Sequence, residues 1–90
     1  MVKKNDQPIC EINECGDKYW YLNNFLHRED GPAVEWANGD KFWFLHGQCH
    51  RADGPAAEYA NGYKSWWYYG KWISSCQKEF ERLIKLRALW

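Results

Sequence analysis

The chain has no charge bias, no basic block, no long apolar run and too few cysteines for a dense disulfide framework. Its 90 residues hold 12 Lys plus Arg against 12 Asp plus Glu, for a formal net charge of zero. Neither a nucleic-acid phosphate backbone nor an anionic membrane surface therefore finds the basic stripe it normally demands. No stretch approaches the roughly 18 apolar residues of a membrane span, and the start, Met1-Val2-Lys3-Lys4-Asn5-Asp6-Gln7-Pro8, lacks the apolar centre of a secretory signal. These absences predict a soluble protein of the cytosol with no membrane partner. The four cysteines, Cys10, Cys15, Cys49 and Cys76, would suit a disulfide scaffold only in an exported chain, so reduced thiols are expected. A second independent domain does not fit in this length, and residues 1–90 are expected to form one.

What the chain does have is aromatic surface and an internal repeat. Seven Trp, six Tyr and four Phe supply the apolar area that so short a chain needs. Sliding the sequence by 23 positions aligns Trp20-Tyr21-Leu22 with Trp43-Phe44-Leu45, and His27-Arg28-Glu29-Asp30-Gly31-Pro32-Ala33 with His50-Arg51-Ala52-Asp53-Gly54-Pro55-Ala56. The same shift places Glu35-Trp36-Ala37-Asn38-Gly39 on Glu58-Tyr59-Ala60-Asn61-Gly62, with a fainter copy at Glu14-Cys15-Gly16. Asn-Gly is the strongest two-residue hairpin signal and predicts type I′ turns at 38–39 and 61–62. Asn23-Asn24, His46-Gly47 and Tyr69-Gly70 read as the alternate turns. A mainly β fold follows: an antiparallel meander of tandem hairpin repeats over residues 9–73. The third copy fails at Ile73-Ser74-Ser75-Cys76-Gln77, where Ser74 with Gln77 suggests a capping box. Cys76, Phe80, Leu83 and Ile84 then fall at helical spacing, which predicts one C-terminal amphipathic helix over 75–88 within a capping segment, 74–90.

Tandem 23-residue hairpins with Trp/Tyr-rich strands resemble the MORN repeat and its bacterial variant. The two His-Arg-x-Asp-Gly-Pro-Ala blocks look like a subclass met in bacteria and tailed phages. The resemblance covers residues 10 to 73 and implies a hairpin array. It also implies a context, the host bacterial cytosol, in which small relatives are described as antitoxin-like or as accessory products that counter host systems.

Two-residue Asn-Gly turns would pair Glu35 with Phe42 and Ala37 with Asp40, and this register sorts residues between two faces. The first face then carries Cys10, Ile12, Tyr19, Tyr21, Leu26 and Arg28, followed by Phe42, Phe44, Cys49, Arg51, Ala56, Glu58, Ser65, Trp67 and Trp72. On the second fall Trp20, Leu22, Phe25, His27, Val34, Trp36, Lys41, Trp43, Leu45 and His50, then Tyr59, Lys64, Trp66, Tyr68 and Ile73. One short helix cannot cover both, so aromatic surface is expected to remain open. The first face, with small Ala opposite large rings, is expected to be core; the second, mixing Trp and Tyr with His and Lys, to meet a partner. Candidate partner-binding residues are Trp20, Phe25, His27, Trp36, Trp43, His46, Gln48, His50, Trp66, Tyr68 and Tyr69. Within that set, recurring Trp20, Trp43 and Trp66 also suit a scaffold, and the positions where copies differ, among them His46, Tyr69, Phe25 and Gln48, are freer to specialise.

Catalysis finds little support. His27 and His50, each followed by Arg and then Asp, resemble acid/base pairs, but both flank tight turns, where His can pack on a cross-strand Trp and Asp can satisfy turn amides. Cys10 and Cys15, and Cys49 beside His50, match no paired zinc knuckle, so no metal and no cofactor is expected. Interleaved rings and cations, Trp36 opposite Lys41 and Tyr59 opposite Lys64, offer a route to stacking nucleic-acid bases or nucleotides. The reading that best fits is a small non-enzymatic protein-interaction module, in the context of the resemblance a phage or mobile-element inhibitor that occludes a bacterial defence or toxin protein, anti-CRISPR-like or antitoxin-like. Nucleic-acid or nucleotide binding is the alternative, and a homodimer is compatible with either.

Overall fold

A computed structural model describes the backbone of residues 7–88 and the side chains of residues 7–82. The chain start and the expected helix positions Leu83, Ile84, Lys85 and Arg87 lie outside the described side chains. Among the described residues ten strands precede one helix: β1 (Ile9–Ile12), β2 (Lys18–Leu22), β3 (Phe25–Leu26), β4 (Val34–Glu35), β5 (Lys41–Phe42), β6 (Phe44–Leu45), β7 (Gln48–Cys49), β8 (Ala57–Glu58), β9 (Lys64–Tyr68), β10 (Lys71–Ser74) and α1 (Gln77–Ala88). The antiparallel order β1-β2-β4-β5-β8-β9-β10 follows the chain, as a meander of tandem hairpins requires. It is not unbroken, however: β3 pairs only with β2, and β6 with β7 makes a separate two-stranded sheet. Each repeat forks because Gly31-Pro32 and Gly54-Pro55 carry the chain from the short hairpin back to the main sheet, where proline has no N–H for a ladder. The molecule is a slab with principal extents of 41 × 39 × 16 Å.

The turns depart from the predicted types in a way that reorders the faces. Trp36 N–H donates to Asp40 O at 2.9 Å and Gly39 N–H to Trp36 O at 2.9 Å, closing a loop of three residues, Ala37-Asn38-Gly39. Only Gly39 has positive φ, at 103°. Such a loop is a tight turn followed by a glycine bulge, not the two-residue type I′ turn expected from Asn-Gly. Ala60-Asn61-Gly62 repeats it between Tyr59 and Tyr63, and Glu14-Cys15-Gly16 between Asn13 and Asp17. Asn38 Oδ1 explains the choice, since it accepts from Asp40 N–H at 2.9 Å and folds the turn over its own side chain. The alternate turns have two residues, each with positive φ at both: 52° and 71° at Asn23-Asn24, 51° and 81° at His46-Gly47, 48° and 85° at Tyr69-Gly70.

Because one extra residue sits in each loop, Glu35 pairs with Lys41 and Val34 with Phe42, one position away from the expected register. A slip of one residue exchanges faces. Val34, Trp36, Ala57 and Tyr59 therefore move to the first face, where Tyr19, Phe42, Ser65 and Trp67 already lie. Glu35 and Glu58 move to the second, and with them Arg28 and Arg51, which bond them. Cys10 and Ile12 also belong to the second face, opposite Trp20 and Lys18, while Ile9 and Glu11 belong to the first. The second face consequently carries a cross-strand ladder, Lys18, Glu35, Lys41, Glu58, Lys64, with signs alternating over five strands. The expected oppositions of Trp36 with Lys41 and Tyr59 with Lys64 are not formed.

The core is distributed rather than confined to the first face. Ala33, Val34, Ala56, Ala57, Trp66 and Phe80 are its buried apolar members. Helix α1 lies on the second face, where Phe80 meets Tyr68 at 6.4 Å between ring centres. Gln77 Oε1 accepts from the Trp66 indole N–H at 2.6 Å, while Gln77 Nε2 donates to Glu81. The expected capping box is thus replaced: Ser74 Oγ accepts from Cys76 N–H at 2.9 Å, Gln77 turns inward to the sheet, and Cys76, expected on the apolar side, is exposed ahead of the helix.

Candidate functional site

The two His-Arg-x-Asp-Gly-Pro blocks build the joint between repeats. His46 N–H donates to Nδ1 of His27, and Tyr69 N–H to Nδ1 of His50, both at 2.9 Å and both 19 residues ahead. A ring nitrogen that accepts carries no proton, so each imidazole holds its proton on Nε2. In His27 that nitrogen faces Glu29 Oε2 at 3.3 Å; in the second block Ala52 replaces Glu29. His27 packs on the His46 ring, 4.4 Å away, and His50 stacks on Tyr69 at 3.9 Å and 20°. Neither imidazole packs on a tryptophan as expected. Burial lowers the His50 pKa below its usual 6.5, which favours the neutral acceptor form.

The arginines take the tryptophans instead. Arg28 lies over Trp20 at 3.9 Å and Arg51 over Trp43 at 4.0 Å. Arg28 Nε donates to Asp30, and its Nη1 donates to Pro32 O and Glu35; Arg51 repeats this with Asp53, Pro55 O and Glu58. Each guanidinium sits against a glycine on its other side: a Cβ added to Gly31 would stand 2.9 Å from Arg28 Cζ, and one added to Gly54 would stand 2.8 Å from Arg51 Cζ. Asp30 and Asp53 therefore serve arginines and not turn amides. A second clamp went unrecognised in the sequence: Asp17 Oδ1 accepts from Ala37 N–H and Asp40 Oδ1 from Ala60 N–H, each at 2.7 Å and 20 residues ahead. The 23-residue spacing of the two aspartates was the signal available. Tyr63 stands where a third would be, so the last copy lacks this clamp.

Of the candidate partner-binding residues, the fold consumes several. His27, His50 and Trp66 are buried, at 2 %, 7 % and 6 % exposure, and bond within the fold through both ring nitrogens of His27, Nδ1 of His50 and the indole N–H of Trp66, which takes them off the expected recognition surface. Trp20 and Trp43 are half-buried beneath arginines, and Tyr68 is half-buried against α1. Phe25, His46, Gln48 and Tyr69 are exposed and sit together at the hairpin tips, Phe25 against Gly47 and Gln48 against Gly70. Trp36 is exposed too, on the first face. There it donates its indole N–H to the Tyr19 hydroxyl at 3.2 Å and begins a series of ring contacts, edge-to-face with Phe42 at 5.0 Å and from Phe42 to Tyr59 at 5.5 Å, then tilted from Tyr59 to Tyr63 at 5.6 Å. Tyr19, Phe42 and Trp72 were absent from the candidate set because the first face was expected to be core, while the assumed register put Trp36 and Tyr59 of this ridge on the other side.

A hollow of about 600 Å3 lies between the two blocks, lined by Arg28, Asp30, Trp43, His50, Arg51 and Asp53, with its guanidiniums already engaged by carboxylates. Cys49 is half-buried, and burial pushes its thiol up to about 12, which keeps it protonated. Among the described residues no group of three or more His, Cys, Asp or Glu could hold a metal ion, and no helix is long and apolar enough to cross a membrane. Compared with protein-family models, with curated proteins and with solved structures, the chain finds no match in any of the three.

Proposed function

We propose that the protein is a non-enzymatic interaction module whose hairpin tips read a protein partner. The observation that carries this is a constant backbone bearing variable, strained and exposed side chains. His46 and Tyr69 occupy left-handed conformations, φ 51° and 48°, where Asn stands in the first copy, at a cost on the order of 1–2 kcal/mol each relative to glycine. Beside them Phe25, Gln48 and Lys71 differ from copy to copy at one backbone position. Although these rings meet His27 and His50, both side chains stay exposed, and strain kept at exposed positions supports a role in contact. In its most specific form, suggested by the resemblance of the His-Arg-x-Asp-Gly-Pro-Ala blocks, the module is a phage or mobile-element inhibitor acting in the bacterial cytosol, where it occludes a defence or toxin protein.

Nucleic-acid binding is the weaker reading, because Lys18, Lys41 and Lys64 alternate with Glu35 and Glu58 across the sheet and leave no cationic track. The test is cross-linking mass spectrometry in a bacterial host, comparing the wild type with a variant carrying Phe25→Ser, His46→Asn and Gln48→Ser. The expected result is one stoichiometric protein linked through the tips, lost in the variant at unchanged melting temperature. Retention of that protein by the variant, or recovery of nucleic acid alone, would contradict the proposal.

A further inference from the structure

Among the described residues none covers the first face: α1 packs on the opposite side, and Ile9, Trp36, Tyr59, Tyr63 and Trp72 are 58 %, 40 %, 36 %, 52 % and 54 % exposed. It is also nearly without charge. Among the described residues with this orientation Glu11 is the one free carboxylate, since Asp17 and Asp40, at the turn ends, are taken by the amides of Ala37 and Ala60. A charged partner finds only Glu11 to pair with there. The face has relief of matching kinds: the ridge Trp36, Phe42, Tyr59, Tyr63 runs beside a hollow of about 550 Å3 floored by Ala57, Gly47 and Gly70. Ridge and hollow adjoin on one surface, and under a twofold axis lying between two such faces each ridge meets the other copy's hollow.

We propose that the first face is the interface of a homodimer, two slabs packed face to face through Trp36, Tyr59, Tyr63 and Trp72 of each. The Lys/Glu ladders then face solvent on both sides, the arrangement usual for antiparallel sheets packed as a sandwich with layers about 10 Å apart. Size permits it. A stable interface takes about 800 Å2 from each partner, and the 41 × 39 Å footprint of the slab offers about twice that. This goes beyond the proposed reading of a partner by the hairpin tips and does not depend on it.

Sedimentation equilibrium of the full chain tests it, at concentrations from about 1 to 100 μM. The wild type is expected at twice the 10.8 kDa mass of one chain. Tyr63→Lys and, separately, Trp72→Lys are each expected to raise the dimer dissociation constant by at least about tenfold with far-UV dichroism unchanged, since a lysine set into the apolar centre of an interface loses its hydration. Phe25→Lys at the tips and Ile12→Lys on the opposite face are expected to leave it unaltered. A wild type that stays monomeric throughout, or a dimer dissociated by Ile12→Lys while Tyr63→Lys and Trp72→Lys leave it intact, would overturn the proposal, the latter by placing the contact at the β1 edge.

Discussion

At the scale of residues, the His-Arg-x-Asp-Gly-Pro block is a joint in which every member has a partner. Gly31 and Gly54 are glycine for the room they leave an arginine, since neither has a positive φ. Gly31→Ala and Gly54→Ala are each expected to displace a guanidinium from its tryptophan and to lower stability by roughly 1–3 kcal/mol in urea unfolding. His50 gives a pH dependence of known sign. Its folded pKa lies below the unfolded 6.5, so the unfolded chain binds a proton first as pH falls. The stability that neutral His50 contributes is complete above about pH 6.5 and is lost progressively as pH falls from there through the folded value. Urea midpoints are expected to be higher near pH 7.5 than near pH 5.5, and His50→Gln, whose amide oxygen can still accept from Tyr69 N–H, is expected to flatten that slope. That both histidines flank turns was legible in the sequence, which nevertheless set them among the candidate contact residues. The partners were not legible, since a bond to a backbone N–H 19 residues ahead depends on how repeats stack and not on any local pattern.

At the scale of elements, the bulged loops decide the register. Gly39→Ala and Gly62→Ala both force a side chain onto a backbone at φ 103° and 95°, but only at Gly39 does the new Cβ also press on a neighbour, Ala60 Cβ at 3.3 Å. Both are expected to destabilise by at least about 1 kcal/mol, Gly39→Ala by more, as read from thermal melts. The helix adds a separable contribution: Gln77→Ala leaves the buried Trp66 indole N–H without its acceptor and is expected to cost roughly 1–3 kcal/mol. Hairpin positions, the end of the repeat and the C-terminal helix were all visible in the 23-residue offset and its failure after Ile73. Turn type was not. Asn-Gly serves both a two-residue turn and a three-residue bulged one, and the choice rests on Asn38 and Asp40 bonding locally in a frame that the neighbouring repeat then clamps through Asp40.

At the scale of the molecule, one residue per loop separates the chemistry of the two sides. With the bulge, Lys and Glu alternate along the second face while Trp36, Phe42, Tyr59 and Tyr63 collect on the first; without it, each side would mix rings with charges. That some aromatic surface must stay open followed from length and helix count alone, but the side that stays open depended on the register and was expected the wrong way round. The proposed homodimer inherits this dependence, as does the exposure of Trp36. The register is therefore the quantity to measure, by cross-strand α-proton contacts in nuclear Overhauser spectra. The structure predicts strong contacts for Glu35 with Lys41 and for Glu58 with Lys64. Contacts of Trp36 with Lys41 and of Tyr59 with Lys64, the close pairs that two-residue Asn-Gly turns would form, would instead contradict the separation of a charged face from an aromatic one.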